Sequence, residues 1–393
     1  MVKGKFVIES ANTSRYTYDG DAEVEARIAH DQQLIGAAVK QLIGLPAFRA
    51  LVLIGGYGRG EGGYCYQDGQ PAPYNDYDYF VVVRGLNARA LAKLSPELNR
   101  IAKELEHKVG VEVDLFFLRE ELLPELEYSL MFAEMQWGSR VVIGDSDVLK
   151  SMSPMPIEKL SLSEFTRLML NRGALLLMNR QVLFANAQLN EGQREIVVKY
   201  LFKAILASGD AYLAALGCYH PSYPEKLRLL QTFSDDAGIA VLLEQYVMAL
   251  DARFHPDYSK YTGRDLYEWQ AQVCNLWLTA FKVLESKRMG MSFDDWSHYA
   301  SRDISKGQSG QGAIAMLRNL AVTARDFGLN ELMCRPGWSL RYPRERLIST
   351  LPLLLLQNIE HETPLLVEQA LGEQQITWQQ ATEIFLKHWK RYA

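Results

Sequence analysis

Residues 51–83 read LVLIGGYGRGEGGYCYQDGQPAPYNDYDYFVVV, and the order of residue types in this stretch decides the fold around it. Residues 51–54 are a short apolar run that stops at Gly55 and Gly56, the pattern of a buried strand meeting a turn. From residue 58 to 75 the chain is rich in Gly, Tyr and Pro and reads as a loop. Tyr77–Val83 is β-branched and aromatic, which suits a second strand. Outward from this stretch, residues 20–45 set apolar side chains at helical spacing behind an acidic first turn, and 87–108 repeats with the same period. Residues 111–118 (VEVDLFFL) read as a third strand. The order predicts an α+β unit, a small mixed sheet with flanking helices, extended by a helix over 119–137 and a strand at 140–143.

Asp76 and Asp78 flank Tyr77 where the second strand begins. Side chains alternate across a strand, so both carboxylates project to one face, where they repel each other unless a cation lies between them. Asp114 in the third strand joins them if the second and third strands pair. Oxygen-only ligands suit a hard divalent ion: magnesium where phosphate is involved, with manganese the alternative. Beside the carboxylates lies the turn GGYGRGEGG, in which Gly55 and Gly56 let backbone N–H groups face an anion and Arg59 offers a cation for phosphate oxygens. A phosphate cradle next to a carboxylate metal site suits in-line attack by an acceptor on the α-phosphate of a nucleotide, with pyrophosphate leaving.

Taken singly, these pieces are weak. An Asp-x-Asp also fits two solvated charges at a strand end, and residues 58–63 contain a literal GxGxxG. That fingerprint opens a helix in dinucleotide folds, whereas a proline-bearing loop is expected here, and no GK[ST] follows to make a P-loop. The order and spacing of all three pieces carry the reading.

The segments LIGGYGRGE, NDYDYFVVV and VEVDLFF resemble the core of the DNA polymerase β-type nucleotidyltransferase superfamily. The closest local likeness is to the GGYGRGE turn of the uridylyltransferases of nitrogen control. The resemblance covers about residues 50–118 and implies that Gly55 and Gly56 hold the triphosphate. It also implies that Asp76 and Asp78 are the first two metal ligands, and that Asp114 is the third carboxylate, which helps activate the acceptor hydroxyl. The insertion over 62–75 is longer than in the simplest members and leaves the base open. No regulatory repeat or HD-type metal motif accompanies the turn, so the uridylyltransferase substrate does not carry over.

At 393 residues the chain exceeds the roughly 250–300 at which single cores stop growing. Residues 1–150 are expected to form the catalytic domain. A Pro- and Ser-rich stretch at 151–163 marks a boundary, and 151–393 reads as a helical substrate-binding or partner domain of one or two subdomains. Helices are expected at 161–179, 190–217, 238–251, 264–287, 310–327, 344–357 and 376–391. In the second of these, steps of four and seven put Lys199, Lys203 and Asp210 on one face. Two readings stay open: a solvated stripe, or a cleft wall whose lysines neutralise the triphosphate. Arg167 and Arg172 invite the same question, and Glu61 either orients Arg59 or faces solvent. Tyrosines 57, 64, 66, 74, 77 and 79 are expected to pack the strand faces, with Tyr64 or Tyr66 placed to stack on a base. His220 and His255, each before a proline in a loop, read as surface residues.

A net charge of −5 argues against a protein that grips long nucleic acid through its phosphates. Four cysteines without CxxC spacing, Cys65, Cys218, Cys274 and Cys334, suggest neither zinc nor disulfides. Without a signal-like N-terminal run or a membrane-length apolar stretch, a cytoplasmic protein is the expectation. The leading expectation is transfer of a nucleoside monophosphate, AMP from ATP, to a hydroxyl of a small molecule or protein. A catalytically silent nucleotide-binding regulator and a toxin–antitoxin-type partner protein are the alternatives.

Overall fold

The computed structural model describes residues 14–44, 46–185, 188–302, 305–310, 312–328, 338, 340–356 and 363–393. Cys334 and the last position of the expected helix 344–357 lie outside them. The chain is mixed α and β and divides into two compact units. The first takes in residues up to Leu160 together with Cys218–Arg228 and Leu250–Asp257; the second takes in the remainder from Ser161 on. The division at Leu160 falls inside the Pro- and Ser-rich stretch 151–163.

The first unit runs α1 (Ala22–Ile43), β1 (Phe48–Leu53), a single helical turn α2 (Gly55–Gly58), β2 (Tyr64–Gln67), β3 (Gln70–Pro73), β4 (Tyr77–Val83), α3 (Ala88–Val109), β5 (Val113–Arg119), α4 (Leu130–Trp137) and β6 (Arg140–Gly144). Asp21 caps α1 by accepting from the N–H groups of Glu23 and Val24, and Asn87 caps α3 through Ala90. The main sheet has the order β5-β4-β1-β6. β4 and β5 are parallel, while β1 is antiparallel to β4 and to β6.

Alternation gives the sheet two faces. Leu51, Leu53, Tyr77, Tyr79, Val81, Val83, Val113 and Leu115 pack with Val24, Ile28, Ile35 and Val39 of α1 and Leu98, Leu105 and Val109 of α3. Burial of each such side chain contributes roughly 1.5–3 kcal/mol. The buried tyrosine hydroxyls are satisfied from α1: Tyr77 donates to Asp31 at 3.1 Å and Tyr79 to Gln32 at 2.6 Å. The opposite face carries Asp78, Phe80 and Val82 of β4 beside Asp114, Phe116 and Leu118 of β5.

Two expectations need correction. The stretch 64–75, read as a loop, forms a hairpin, β2 against β3, around Asp68 and Gly69, both with positive φ (52° and 76°). That is the conformation an Asp-Gly hairpin turn requires. With Gln67 paired to Gln70, ladder alternation leaves Pro71 and Pro73 at non-hydrogen-bonded positions, so their missing N–H groups cost nothing. The helix expected over 119–137 is instead a 3-10 segment, Glu120–Glu125, followed by α4, which starts afresh from Ser129 after Pro124.

The second unit is helical. Its principal helices are α5 (Leu162–Ala185), α6 (Glu191–Leu216) and α9 (Leu266–Met289), joined by α10 (Trp296–Ser301), α11 (Gly312–Asp326), α12 (Pro343–Leu356), α13 (Leu365–Leu371) and α14 (Trp378–Tyr392). Between α6 and α9, α7 (Tyr223–Gln231) and α8 (Ala237–Phe254) run partly in each unit. α5, α6 and α9 pack on one another through buried residues such as Met169, Leu176, Leu201, Ile205, Val273 and Trp277. The Trp277 indole donates to the Met169 carbonyl at 3.2 Å. α7, α10 and α13 are short and lie outside the helices expected from the sequence. Among the described residues no helix is long and apolar enough to cross a membrane.

Candidate active site

Asp76 stands one position ahead of β4 and Asp78 follows Tyr77 within it. Asp114 is the register partner of Asp78 in β5, so in-register parallel pairing puts both on the sheet face away from α1 and α3. Ligand oxygens of Asp76, Asp78 and Asp114 all lie within 4.8 Å of one another. Asp76 is exposed and the other two are half-buried. Among the described residues, no hydrogen bond or ion pair neutralises these three side chains. Burial and the crowding of negative charge both raise the proton affinities of Asp78 and Asp114. Burial, then the charges of Asp76 and Asp114, push the Asp78 carboxyl up to about 7. Asp114 is raised as well, by burial and then by Glu112 and Asp76. A close set of unneutralised carboxylates, oxygen ligands only, fits a hard divalent cation.

The glycine turn is fixed against this cluster. The Ile54 N–H donates to the backbone oxygen of Asp78 at 2.9 Å. Gly55 has a φ of +69°, and a Cβ there would stand 3.0 Å from Oδ2 of Asp78, so glycine answers both a left-handed backbone and a close carboxylate. Tyr57 is 1% exposed. Its hydroxyl donates to the Gly63 carbonyl at 2.5 Å and accepts from the N–H groups of Tyr74 and Asn75 at 3.0 and 3.2 Å. One side chain of the turn thus ties down both ends of the hairpin, and so positions the chain immediately before Asp76.

Arg59 points into the first unit. It is 6% exposed, and its Nη1 donates to Glu134 Oε2 of α4 at 3.0 Å. Burial opposes the Glu134 carboxylate, but Arg59 and Lys226 outweigh it and hold the group below its usual range; the Tyr219 hydroxyl donates to its other oxygen. Glu61, 7% exposed, accepts from the Tyr223 N–H at 3.1 Å. Replacing Glu134 by Gln leaves the Arg59 charge buried against a neutral amide. Equilibrium urea unfolding should show a loss of about 2 kcal/mol; an unchanged midpoint would mean that the pair contributes nothing.

Two cations near the turn come from segments far along the chain that carry no motif linking them to it. Arg253 stacks on the Tyr223 ring, its Cζ 4.0 Å from the centroid. Its Nη2 lies 3.2 Å from the point where a Cβ on Gly56 would sit, and its Nε is buried without a hydrogen-bond partner among the described residues. Lys226 is 1% exposed, with Nζ 4.2 Å from the Tyr223 ring centroid. Only the return of 218–228 and 250–257 to the first unit reveals the pair.

Lys199 and Lys203, half-buried on α6 with the buried Asp210, belong to the second unit, as do Arg167 and Arg172 on α5. His255, expected as a surface residue, is partly exposed and is held between Asp19 and Asp251 at 3.0 and 3.1 Å. It faces the edge of the Tyr64 ring. Of the two tyrosines placed for stacking, Tyr66 is 52% exposed and its hydroxyl donates to Asp21. The described cysteines are all free thiols. Compared with known proteins, the chain matches no family model, no curated protein and no solved structure.

Proposed function

We propose that the protein is a metal-dependent nucleotidyltransferase of the DNA polymerase β type, moving AMP from ATP to a hydroxyl with release of pyrophosphate. The observation that carries this reading is the convergence of Asp76, Asp78 and Asp114 within 4.8 Å of one another, unneutralised, beside the Gly55–Gly56 turn. Asp76 and Asp78 would hold magnesium, or manganese, with Asp114 completing the oxygen set. A cation held there would neutralise the charge that builds up on the phosphates as pyrophosphate leaves.

The chain's own groups account for the rest. The backbone of Gly55 and Gly56 faces the triphosphate, with no side chain between it and the anion. Arg253 brings a guanidinium to the Gly56 side of the turn. A carboxylate oxygen of Asp114 takes the proton of the acceptor hydroxyl. The acceptor oxygen bonds to the α-phosphorus, the bond from that phosphorus to the bridging oxygen of the β-phosphate breaks, and the electron pair leaves with pyrophosphate. Arg59 stays with Glu134 and holds the turn.

Incubation with ATP, GTP, CTP and UTP, each labelled at the α-phosphate, tests the reading. Magnesium- or manganese-dependent label transfer and pyrophosphate release are expected, with ATP the best donor. Saturable nucleotide binding without release would instead make the protein a sensor. Arg253→Met should raise the Kd for ATP with magnesium about tenfold in protein that circular dichroism shows to be folded, the worth of one charge-assisted contact; an unchanged Kd by calorimetry removes Arg253 from the site.

A further inference from the structure

The sheet face that carries the carboxylates is covered unevenly. On it, Phe80 of β4 is 6% exposed and Leu118 of β5 is 7% exposed, while Phe116, between Asp114 and Leu118, is 52% exposed. Phe132 of α4 stacks on Phe80 at 5.7 Å, and Phe80 meets Phe116 at 6.3 Å. The helix therefore closes the face as far as Phe80 and leaves Asp76, Asp114 and Phe116 uncovered or partly so. Asp114 and Phe116 are two residues apart on one strand, about 6.6 Å along it, and point to the same side. With a rise of about 3.3 Å per residue, that span suits a hydroxyl joined to an aromatic ring through about three intervening atoms.

An aromatic ring left in water beside an open carboxylate, its inner edge braced by a second buried ring, is built to take another flat apolar group. Resting on the nucleotidyl-transfer reading, we propose that the acceptor is a small molecule whose hydroxyl is joined to an aromatic ring by a short linker, the ring seated on Phe116 and the hydroxyl at Asp114. The transfer makes an aryl-bearing ester of AMP and pyrophosphate, the acceptor's proton passing through Asp114 to solvent. Phe116 serves here as a specificity-determining residue.

The test pairs each aryl acceptor with a counterpart lacking the ring: 3-phenyl-1-propanol with 1-propanol, and phenyl β-D-glucoside with methyl β-D-glucoside. Transfer is read from ATP labelled at the α-phosphate with magnesium present. The aryl member of each pair should have about tenfold higher kcat/KM. Phe116→Ala should abolish the difference and Phe116→Tyr restore it, while the Kd for ATP stays unchanged in both variants. Saturation-transfer NMR of phenyl β-D-glucoside should show ring protons bound to the native protein and lost in Phe116→Ala. Equal rates within the pairs, a preference that survives Phe116→Ala, or better transfer to a serine-bearing peptide than to either aryl probe overturns the assignment. Ring binding at Phe116 without any ATP binding overturns the nucleotidyl-transfer reading, and the acceptor assignment falls with it. ATP turnover without ring binding overturns the acceptor alone.

Discussion

Asp76→Asn and Asp78→Asn should each lower nucleotidyl transfer by about a thousandfold or more, which corresponds to roughly 4 kcal/mol of transition-state stabilisation. Either change removes a negative oxygen from a set whose members lie within 4.8 Å of one another, and a neutral amide does not replace it as a ligand to a hard cation. The measurement is initial-rate pyrophosphate release at saturating magnesium, with folding monitored by circular dichroism. Since the three carboxylates repel one another, neither variant should be less stable than the native protein. Retained turnover in Asp78→Asn would end the metal-site reading, because Asp78 stands between the other two and against Gly55.

Burial of Asp78, with the same repulsion added, sets a second result, in the opposite direction to ordinary acid denaturation. Asp78 has a pKa of about 7 in the folded protein against 3.8 when unperturbed. Between these values the folded state keeps a proton that the unfolded chain has lost. Stability is therefore present below the unfolded value and falls as pH rises toward the folded one. The metal-free protein should lose about 2–4 kcal/mol relative to Asp78→Asn across that window, since each tenfold change in proton affinity corresponds to about 1.4 kcal/mol. Magnesium at about a hundred times its Kd should return about 2.7 kcal/mol above pH 7 and little near pH 4. Thermal unfolding of both proteins at a series of pH values, with and without magnesium, reads the effect. A native protein whose difference from Asp78→Asn ignores pH would show that neither burial nor the neighbouring carboxylates raise the proton affinity of Asp78.

The carboxylate geometry was legible because it depends on local periodicity. Asp76 and Asp78 sit astride a residue whose strand composition is unambiguous, and Asp114 follows from a parallel partner one helix later. The hairpin was illegible for a specific reason: Pro71 and Pro73 argue against a strand, and only the register from the Asp68–Gly69 turn shows that both fall where no hydrogen bond is needed. Glu134, Lys226 and Arg253 were hidden by distance in sequence. Nothing local to α8 distinguishes Arg253 from any solvated arginine near a helix end. Its meaning comes from Tyr223 and Gly56, residues that are close only once the chain has folded.

That distance bears on how the protein is made. The first unit takes Tyr219, Tyr223, Lys226 and Arg253 from segments synthesised well after Leu160. A nascent chain stopped at Leu160 would carry Arg59 facing Glu134 with no Tyr219 hydroxyl on the carboxylate, and Glu61 without its Tyr223 amide. The sheet can assemble early, since its strands are near neighbours in sequence, but the surroundings of the glycine turn must wait for residue 257 to leave the ribosome. During that interval the newly made sheet is most open to chaperones and proteases, and its maturation is timed by translation of α5, α6 and α8.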